Sequence, residues 1–187
     1  MRAFALSDPC GTLGDMSELR PEHIIRPAAV ADAEAIAGVH IRSWQSAYRD
    51  LLPADYLAGL DLPARSQWWR GQLEHPDWGT TWVATIEDAV VGFLSIGPSR
   101  DEDADTRTLE IYSVYLEPEL IGSGVARDLM RTALAEVPAR STVTLWTATE
   151  NERGRHFYRR HGFSPDGTER TEDIGGTELP EVRYRRG

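Results

Sequence analysis

The sequence predicts a single domain of the α/β class (α+β type), in which helices flank a mixed β-sheet. Three observations lead to this fold class. Apolar residues recur every three or four positions from Ile36 to Tyr48, and the spacing changes to two in residues 80–97. Strand-like and helix-like segments then alternate towards the C-terminus, and no internal repeat divides the chain. At 187 residues, of which 41% are hydrophobic, the chain is long enough to bury one core.

Residues 1–22 are expected to form a flexible N-terminal arm ahead of the folded domain, residues 23–187. The arm shows no sustained periodicity and contains Pro9, Gly11 and Gly14. It lacks an apolar stretch of the length found in signal peptides. Together with the single cysteine, Cys10, this favours a cytoplasmic protein without an internal disulfide.

The first half of the domain predicts a strand, three helices and a hairpin. Residues 23–28 are typical of a short strand. The first helix is predicted by the spacing of Ile36, His40, Trp44, Ala47 and Tyr48. Pro53 and Gly59 mark the limits of a second helix, and a third begins at Pro63. Alternating apolar residues in 80–97 predict the hairpin.

The second half continues with alternating strands and helices. Its predicted elements are a strand over 108–118, a helix over 125–137, a strand over 141–148, a helix over 150–162 and a final strand over 177–187. Between the last two, residues 163–169 leave room for a short strand.

The charge and composition exclude several classes of protein. A net charge of −10 argues against general nucleic-acid binding. Apolar runs are too short for a membrane span, and Cys and His residues do not cluster at metal-ligand spacing, so neither a membrane nor a metal partner is expected. Residues 120–161 carry seven arginines and four acidic residues. This local positive charge favours an anionic ligand, unless it is simply a solvated face.

The stretch LIGSGVARDLM (120–130) places Gly122, Gly124 and Ala126 just where a helix is predicted to begin. Glycine permits a tight strand-to-helix turn, which is one explanation. The other is chemical, because helix-start amides without side chains can bind a phosphate. The stretch lacks the Gly-Lys-Ser/Thr ending of a nucleotide P-loop. It also lacks a convincing acidic ribose partner for a dinucleotide.

Two sequence blocks, in this order, carry a resemblance to a known family. The first, IYSVYLEPELIGSGVARDLM, has a strand ending at Leu116-Glu117-Pro118 and a turn that matches the family pattern at Gly124 and Ala126. The second is NERGRHFYRRHGF, whose matching positions are Asn151, Gly154 (replacing Ala), Phe157, Tyr158, Gly162 and Phe163. With HIRSWQSAYRDLLPADYL on the acceptor side, residues 23–187 resemble the GNAT superfamily of acetyl-CoA-dependent N-acetyltransferases.

The resemblance implies a mostly antiparallel sheet in which the strand bearing Leu116 splays from the strand bearing Leu145. It implies acetyl-CoA as the acyl donor, bound in that opening without a metal. The implied cofactor-binding residues are Val114, Tyr115, Leu116, Ile121, Gly122, Ser123, Gly124, Val125, Ala126, Arg127, Asn151 and Tyr158. Pantetheine would pair with the main chain at Val114 and Leu116, where a backbone N–H would face the oxyanion. The pyrophosphate would accept from amides of 122–126.

Three side chains near the turn bear on cofactor affinity. Ile121 stands where the family prefers Arg or Gln, and Ser123 stands where a basic residue is common. The backbone donors do not depend on these side chains. Arg127 opposes the positive end of the helix dipole, which makes sense if an anion binds there. The alternative is a solvent-facing arginine of no consequence.

Two residues are candidates for proton transfer. An amine has a pKa of about 10 and must lose a proton before it attacks a thioester. Glu110 is the candidate base, directly or through water, unless it is an edge or solvent-facing carboxylate. Tyr158 is implied as the acid that protonates the departing thiolate, unless it is only a packing residue. Asn151 binds the pantetheine amide or caps the last helix, and His156 and His161 are read as surface residues.

The acceptor is expected to be a primary amine, on a small molecule or a peptide. Trp44 and Tyr48, with the acidic loop 101–105, could form a wall that favours cations, or could belong to the core. This leans towards small amines over peptide N-termini. A non-catalytic acyl-CoA sensor and a nucleotide-binding module are the competing functions. Assembly as a homodimer is left open.

Overall fold

The computed structural model describes residues 22–187. The predicted arm, apart from residue 22, and Cys10 lie outside these residues. No helix in the described range is long and apolar enough to cross a membrane.

A seven-stranded sheet forms the centre of the described chain. Its strands are β1 (Ile24–Pro27), β2 (Thr80–Ile86), β3 (Ala89–Pro98), β4 (Thr108–Leu116), β5 (Thr142–Ala148), β6 (Ser164–Ile174) and β7 (Thr177–Arg186). They lie in the order β1-β2-β3-β4-β5-β7-β6. Neighbours are antiparallel except β4 and β5, which are parallel. The predicted mixed, mostly antiparallel sheet is confirmed.

Five α-helices accompany the sheet within residues 22–187. They are α1 (Ala33–Ala47), α2 (Ala54–Ala58), α3 (Leu62–Glu74), α4 (Val125–Ala135) and α5 (Glu152–Arg160). Helix α3 begins after Asp61, whose side chain accepts from the amide of Ala64 at 2.6 Å. Helix α1 ends one residue before Tyr48, which is its C-cap.

The sequence underestimated β6. We expected at most a short strand over 163–169, whereas β6 has 11 residues. Nine of them are exposed, so the alternation that identifies a half-buried strand is missing. Pro165 and Gly167 also suggest a turn, but both are tolerated at an edge strand with a register shift, which occurs between Pro165 and Glu169. Pairing with β7 determines the strand.

The central strands of the sheet are buried on both faces. On one face, α4 and the end of α5 pack over buried residues such as Leu94, Ile111 and Leu145. On the other, α1 and α3 pack over Val83 and Phe93. Since successive side chains of a strand point to opposite faces, Glu110 and Trp146 lie on the α1 face.

The parallel pair β4–β5 separates part-way along its length. The ladder runs from Thr108–Thr142 to Ile111–Leu145. Beyond it β4 continues to Leu116, paired with β3, and β5 continues to Ala148, paired with β7. The splayed strand pair implied by the family resemblance is confirmed, and it opens the sheet to both faces.

Candidate active site

A cleft of about 790 Å³ occupies the opening between β4 and β5. Its walls come from the C-terminal part of α1, the diverging ends of β4 and β5, the turn before α4, and α5. Of the sequence-predicted site residues, those lining it are Tyr48, Val114, Tyr115, Leu116, Ile121, Gly122, Gly124, Ala126, Arg127, Asn151 and Tyr158. Thus most of the predicted site lies in one place.

Four predicted residues do not line the cleft. Ser123 holds the turn, since its hydroxyl donates to the carbonyl of Leu120 at 2.6 Å. The side chain of Val125 is fully buried in the core beneath α4. Glu110 and Trp44 lie behind the lining residues, as described below.

The glycine turn exposes backbone donors at the start of α4. Gly122 and Gly124 have φ of +94° and +98°, a region that favours glycine. Gly124 is the N-cap and offers no side-chain cap. Within residues 22–187, no hydrogen bond satisfies the amides of Gly122, Gly124, Ala126 or Arg127. A Cβ at Gly122 would meet nothing within 4 Å, so open space lies beside these donors.

Arg127 lies against the residue that follows it. Its guanidinium bonds to Asp128 at 2.9 Å, and Asp128 also accepts from Arg131 at 3.1 Å. Asp128 therefore offsets part of the charge that Arg127 places at the helix start. The Arg127 side chain is 41% exposed, and it still lines the cleft.

Sequence reasoning missed two arginines of α5, Arg153 and Arg160, which line the cleft. His156 and His161, which were read as surface residues, line it as well. Among the described residues, no aspartate or glutamate does so. The α4–α5 side of the cleft is therefore positive, which suits an anion. The excess of arginine in 120–161 was the signal for this, although it did not identify the residues.

One edge of β4 is open in the cleft. The amide of Glu117 donates to Val91 on β3 at 2.8 Å. Because backbone amides alternate in direction along a strand, those of Val114 and Leu116 point away from β3, into the gap. The carbonyl of Leu116 is taken by the hydroxyl of Ser43 on α1. This contact fixes α1 to the rim of the opening.

Asn151 is the N-cap of α5. Its Oδ1 accepts from the amide of Gly154 at 2.9 Å. A Cβ at residue 154 would lie 2.6 Å from Asn151 Nδ2, so the Asn151 side chain would have to shift if alanine stood there. Asn151 thus caps the helix and also lines the cleft.

Tyr158 lies on α5 between the core and the cleft. Its ring packs near those of Phe157 at 5.5 Å and Tyr184 at 6.2 Å. Burial, and secondarily the charge that Tyr48 would carry if ionised, raises the pKa of the Tyr158 phenol above its usual value. The hydroxyl therefore remains protonated at neutral pH, as a proton donor requires.

Glu110 is buried rather than solvent-facing, with 8% exposure. Its Oε2 accepts from the amide of Arg100 at 3.0 Å. Burial raises the pKa of this carboxyl, and the Arg100 amide acts in the opposite direction. The next two residues, Ile111 and Tyr112, line the cleft. Glu110 thus lies just beyond the cleft wall.

Of the two aromatic residues predicted to form the acceptor wall, the structure places only one in the cleft. Tyr48 lines the cleft. Trp44 packs behind it, with its ring centroid 5.0 Å from that of Tyr48 and its Nε1 buried. In the acidic loop, Asp101 and Asp103 are bonded to Arg183 at 3.2 and 2.6 Å. These two carboxylates are therefore already paired with a cation.

Comparison with known proteins agrees with this geometry. The model of the acetyltransferase (GNAT) family matches residues 41–163. The chain belongs to the GNAT family of acetyltransferases, and so is an enzyme of that class. It is 30% identical to an uncharacterized N-acetyltransferase, YuaI, of Bacillus subtilis, covering 84% of this chain and 89% of that protein.

Two further relatives are informative. The peptidyl-lysine N-acetyltransferase YjaB of Escherichia coli is 26% identical, over 81% of this chain and 88% of that protein. The structure of a PaiA N-acetyltransferase from Thermoplasma acidophilum in complex with coenzyme A superposes with a TM-score of 0.69. It is 17% identical and covers 88% of this chain and 98% of the other, a likeness that shows the fold.

Proposed function

We propose that this protein transfers the acetyl group of acetyl-CoA to a primary amine by direct attack of the amine. The observation that carries the proposal is the cleft itself. It runs through the splayed sheet, with helix-start amides that are unpaired within residues 22–187 and arginines on the α4–α5 side, and with Tyr48, the C-cap of α1, on the other. Donor and acceptor can therefore approach the opening from opposite faces of the sheet.

The chemistry of the α4–α5 side fits coenzyme A. Amides at a helix N-terminus are donors for a pyrophosphate, and glycine at 122 and 124 leaves them accessible. Arg127, Arg153 and Arg160 supply positive charge for phosphate groups. The related fold of the Thermoplasma enzyme, which is in complex with coenzyme A, supports the same assignment.

The open edge of β4 fits the pantetheine arm. The amides of Val114 and Leu116 point into the gap, where an extended chain with amide groups can pair with them as an added strand. Tyr115 and Asn151 line the same stretch. A gap-facing N–H here would also stabilise negative charge that develops on the acyl oxygen.

Glu110 and Tyr158 are proposed as the proton acceptor and donor. The thioester of acetyl-CoA supplies the activated acyl group. Burial brings the pKa of Glu110 closer to neutral, which makes the carboxylate a stronger base than an exposed one. Because Glu110 lies beyond the cleft wall, a water is the proposed link to the amine. Tyr158, held protonated, gives its proton to the departing thiolate.

We infer a small primary amine as the acceptor, with Tyr48 on its binding surface. A peptide amine is the second candidate, because one relative carries the name peptidyl-lysine N-acetyltransferase. The pairing of Asp101 and Asp103 with Arg183 weakens the contribution of the acidic loop to recognition of a cation.

The proposal is tested by binding and by turnover. Acetyl-CoA should raise the melting temperature of the purified protein, whereas ATP and NAD should not. Free coenzyme A should then appear when a panel of primary amines and lysine-containing peptides is added with acetyl-CoA. Binding without turnover on any acceptor would instead support an acyl-CoA sensor, and stabilisation by ATP or NAD alone would support a nucleotide-binding module.

A further inference from the structure

Trp146 stands at the point where the sheet opens, although sequence reasoning gave it no role. It follows Leu145, whose partner Ile111 is the last residue of β4 paired with β5. Leu145 is buried towards α4, so the indole of Trp146 lies on the opposite face, the one that α1 covers. The residue lines the cleft. The indole therefore borders the side of the opening that is remote from the proposed coenzyme A cradle.

The indole is held on its edge and on its face. Its Nε1 donates to Asp101 Oδ1 at 2.9 Å, and Asp101 is bonded in turn to Arg183. The guanidinium of Arg170, on β6, lies 4.2 Å from the ring centroid. Arg170 is itself bonded to Glu181 at 2.8 Å. Contacts from the β3–β4 loop, β6 and β7 thus fix the orientation of one side chain.

Tyr112 occupies the matching position on β4. It follows Ile111, just as Trp146 follows Leu145, and it lines the same cleft. The guanidinium of Arg100 lies 3.8 Å from its ring centroid, and its hydroxyl donates to the carbonyl of Pro98 at 2.5 Å. Two aromatic rings, each covered by an arginine, therefore border the opening on its α1 side.

We propose that Trp146 determines acceptor specificity. This proposal rests on the proposed function, in which the amine enters from the α1 side. The indole and the Tyr112 ring, at matching positions on the two diverging strands, border the opening from both strands and so limit the width available next to the reacting amine. The enzyme therefore selects primary amines on a slim, unbranched chain and disfavours those whose amine carbon is branched or part of a ring. Arg170 acts through Trp146 and is a positioning residue.

The test compares n-hexylamine with cyclohexylamine, which place the amine on a slim and on a wide group. In Trp146→Ala, the ratio of kcat/KM for cyclohexylamine to that for n-hexylamine should rise at least about tenfold, the scale on which pockets discriminate apolar bulk. The dissociation constant of acetyl-CoA should stay within about twofold of wild type. Arg170→Met should shift the ratio in the same direction by a smaller factor. Arg185→Met, on the neighbouring strand with one 3.5 Å contact to Thr142, is the control and should not move it.

The outcomes separate this inference from the proposed function. An unchanged ratio in an active Trp146→Ala enzyme overturns the specificity role, and loss of acetyl-CoA binding would make Trp146 a cofactor contact instead. If circular dichroism shows that Trp146→Ala is unfolded, Trp146→Phe and Arg170→Met decide the question by the same ratio. Failure of the wild-type enzyme to acetylate either amine or any member of the wider panel would overturn the proposed function, and this inference with it.

Discussion

Ile111 on β4 and Leu145 on β5 are the last paired residues of the parallel ladder, and the cleft opens beyond that pair. Past them the strands diverge. Backbone donors of β4 that would have paired with β5 are therefore available to an extended ligand. The same divergence joins two faces of the sheet that are otherwise separated by buried side chains. A cofactor held by α4 and α5 can then meet an acceptor beside α1.

Gly124 tests the phosphate cradle. Gly124→Asp would place a carboxylate among the amides at the start of α4, and should lower acetyl-CoA affinity by repulsion. Because φ is +98° at this position, any side chain adds strain. Gly124→Asn is the matched control, since it has the same shape without the charge and tolerates this conformation better than most residues. Calorimetry should show at least about tenfold weaker binding for Asp than for Asn. Equal affinities in two folded variants would exclude an anion at this turn.

Ile121 tests the departure from the family pattern. It is 42% exposed at the cleft rim, where the family prefers Arg or Gln. Ile121→Arg should add a charge-assisted contact worth about 1 kcal/mol, and so tighten acetyl-CoA binding several-fold. Ile121→Met, of similar size and without charge, should leave affinity near wild type. A titration that finds Arg equal to Met would mean that the turn presents residue 121 away from the cofactor.

Replacing Arg183 tests whether its ion pairs stabilise the loop that carries Asp101. It is 5% exposed, and its side chain bonds to Asp101, Asp103 and Asp166. Arg183→Met leaves these carboxylates without their cation, and should lower the free energy of unfolding by about 3 kcal/mol in urea titrations at pH 7. Arg185→Met on the same strand should have little effect.

The same variant makes a pH prediction. Bonding to Arg183 lowers the pKa of Asp103 below its usual value. A depressed pKa in the folded state contributes stability above the ordinary Asp value of about 4, and this is lost as the pH falls through the folded value. Wild-type stability should therefore drop as the pH falls below the ordinary Asp value and through the lowered one, and Arg183→Met should show a flatter dependence. Parallel curves for the two proteins would contradict the pairing.

The sequence predicted those features of the structure that depend on local residue patterns. It did not predict those that depend on contacts between distant residues. Gly122, Gly124 and the hydrophobic face of α4 are local patterns, so the turn and the helix were predictable. Strand β6 was underestimated because an edge strand exposed on both faces has no periodicity. Trp146 was missed because its importance comes from Asp101 and Arg170, which the fold brings to it from distant positions. The burial of Glu110 depends equally on long-range packing.

Glu110 tests the base. A base must be deprotonated, and burial raises the pKa of this carboxyl, so kcat/KM should fall as the pH drops through that raised value. Glu110→Gln should reduce turnover by about 10²-fold or more and remove this acidic limb, with acetyl-CoA affinity near normal. Glu178→Gln, an exposed carboxylate on β7, is the control. An unaltered profile in Glu110→Gln would assign the base role to another group or to solvent.

Replacing Tyr158 tests whether its hydroxyl acts as the general acid or its ring serves only for packing. Tyr158→Phe removes the phenolic oxygen and keeps the contacts with Phe157 and Tyr184. If the hydroxyl protonates the thiolate, kcat should fall by about 10²- to 10⁴-fold. Acetyl-CoA affinity should change much less, because the hydroxyl acts mainly when charge develops on sulfur. Because burial raises the pKa of this phenol, wild-type activity should show no loss from its ionisation up to about pH 9, below the ordinary tyrosine value of about 10.

The matched control for Tyr158→Phe is Tyr184→Phe. Tyr184 is fully buried nearby, and its hydroxyl accepts from Arg155 and Arg159 at 3.3 Å rather than facing the cleft. Steady-state turnover with an identified amine, paired with acetyl-CoA titration, should show a large loss of kcat for Tyr158→Phe and little for Tyr184→Phe. Equal, near-wild-type rates would reduce Tyr158 to a packing residue. Loss of acetyl-CoA binding together with turnover in Tyr158→Phe would make the hydroxyl a cofactor contact, and the proton on the leaving thiolate would then have to come from elsewhere.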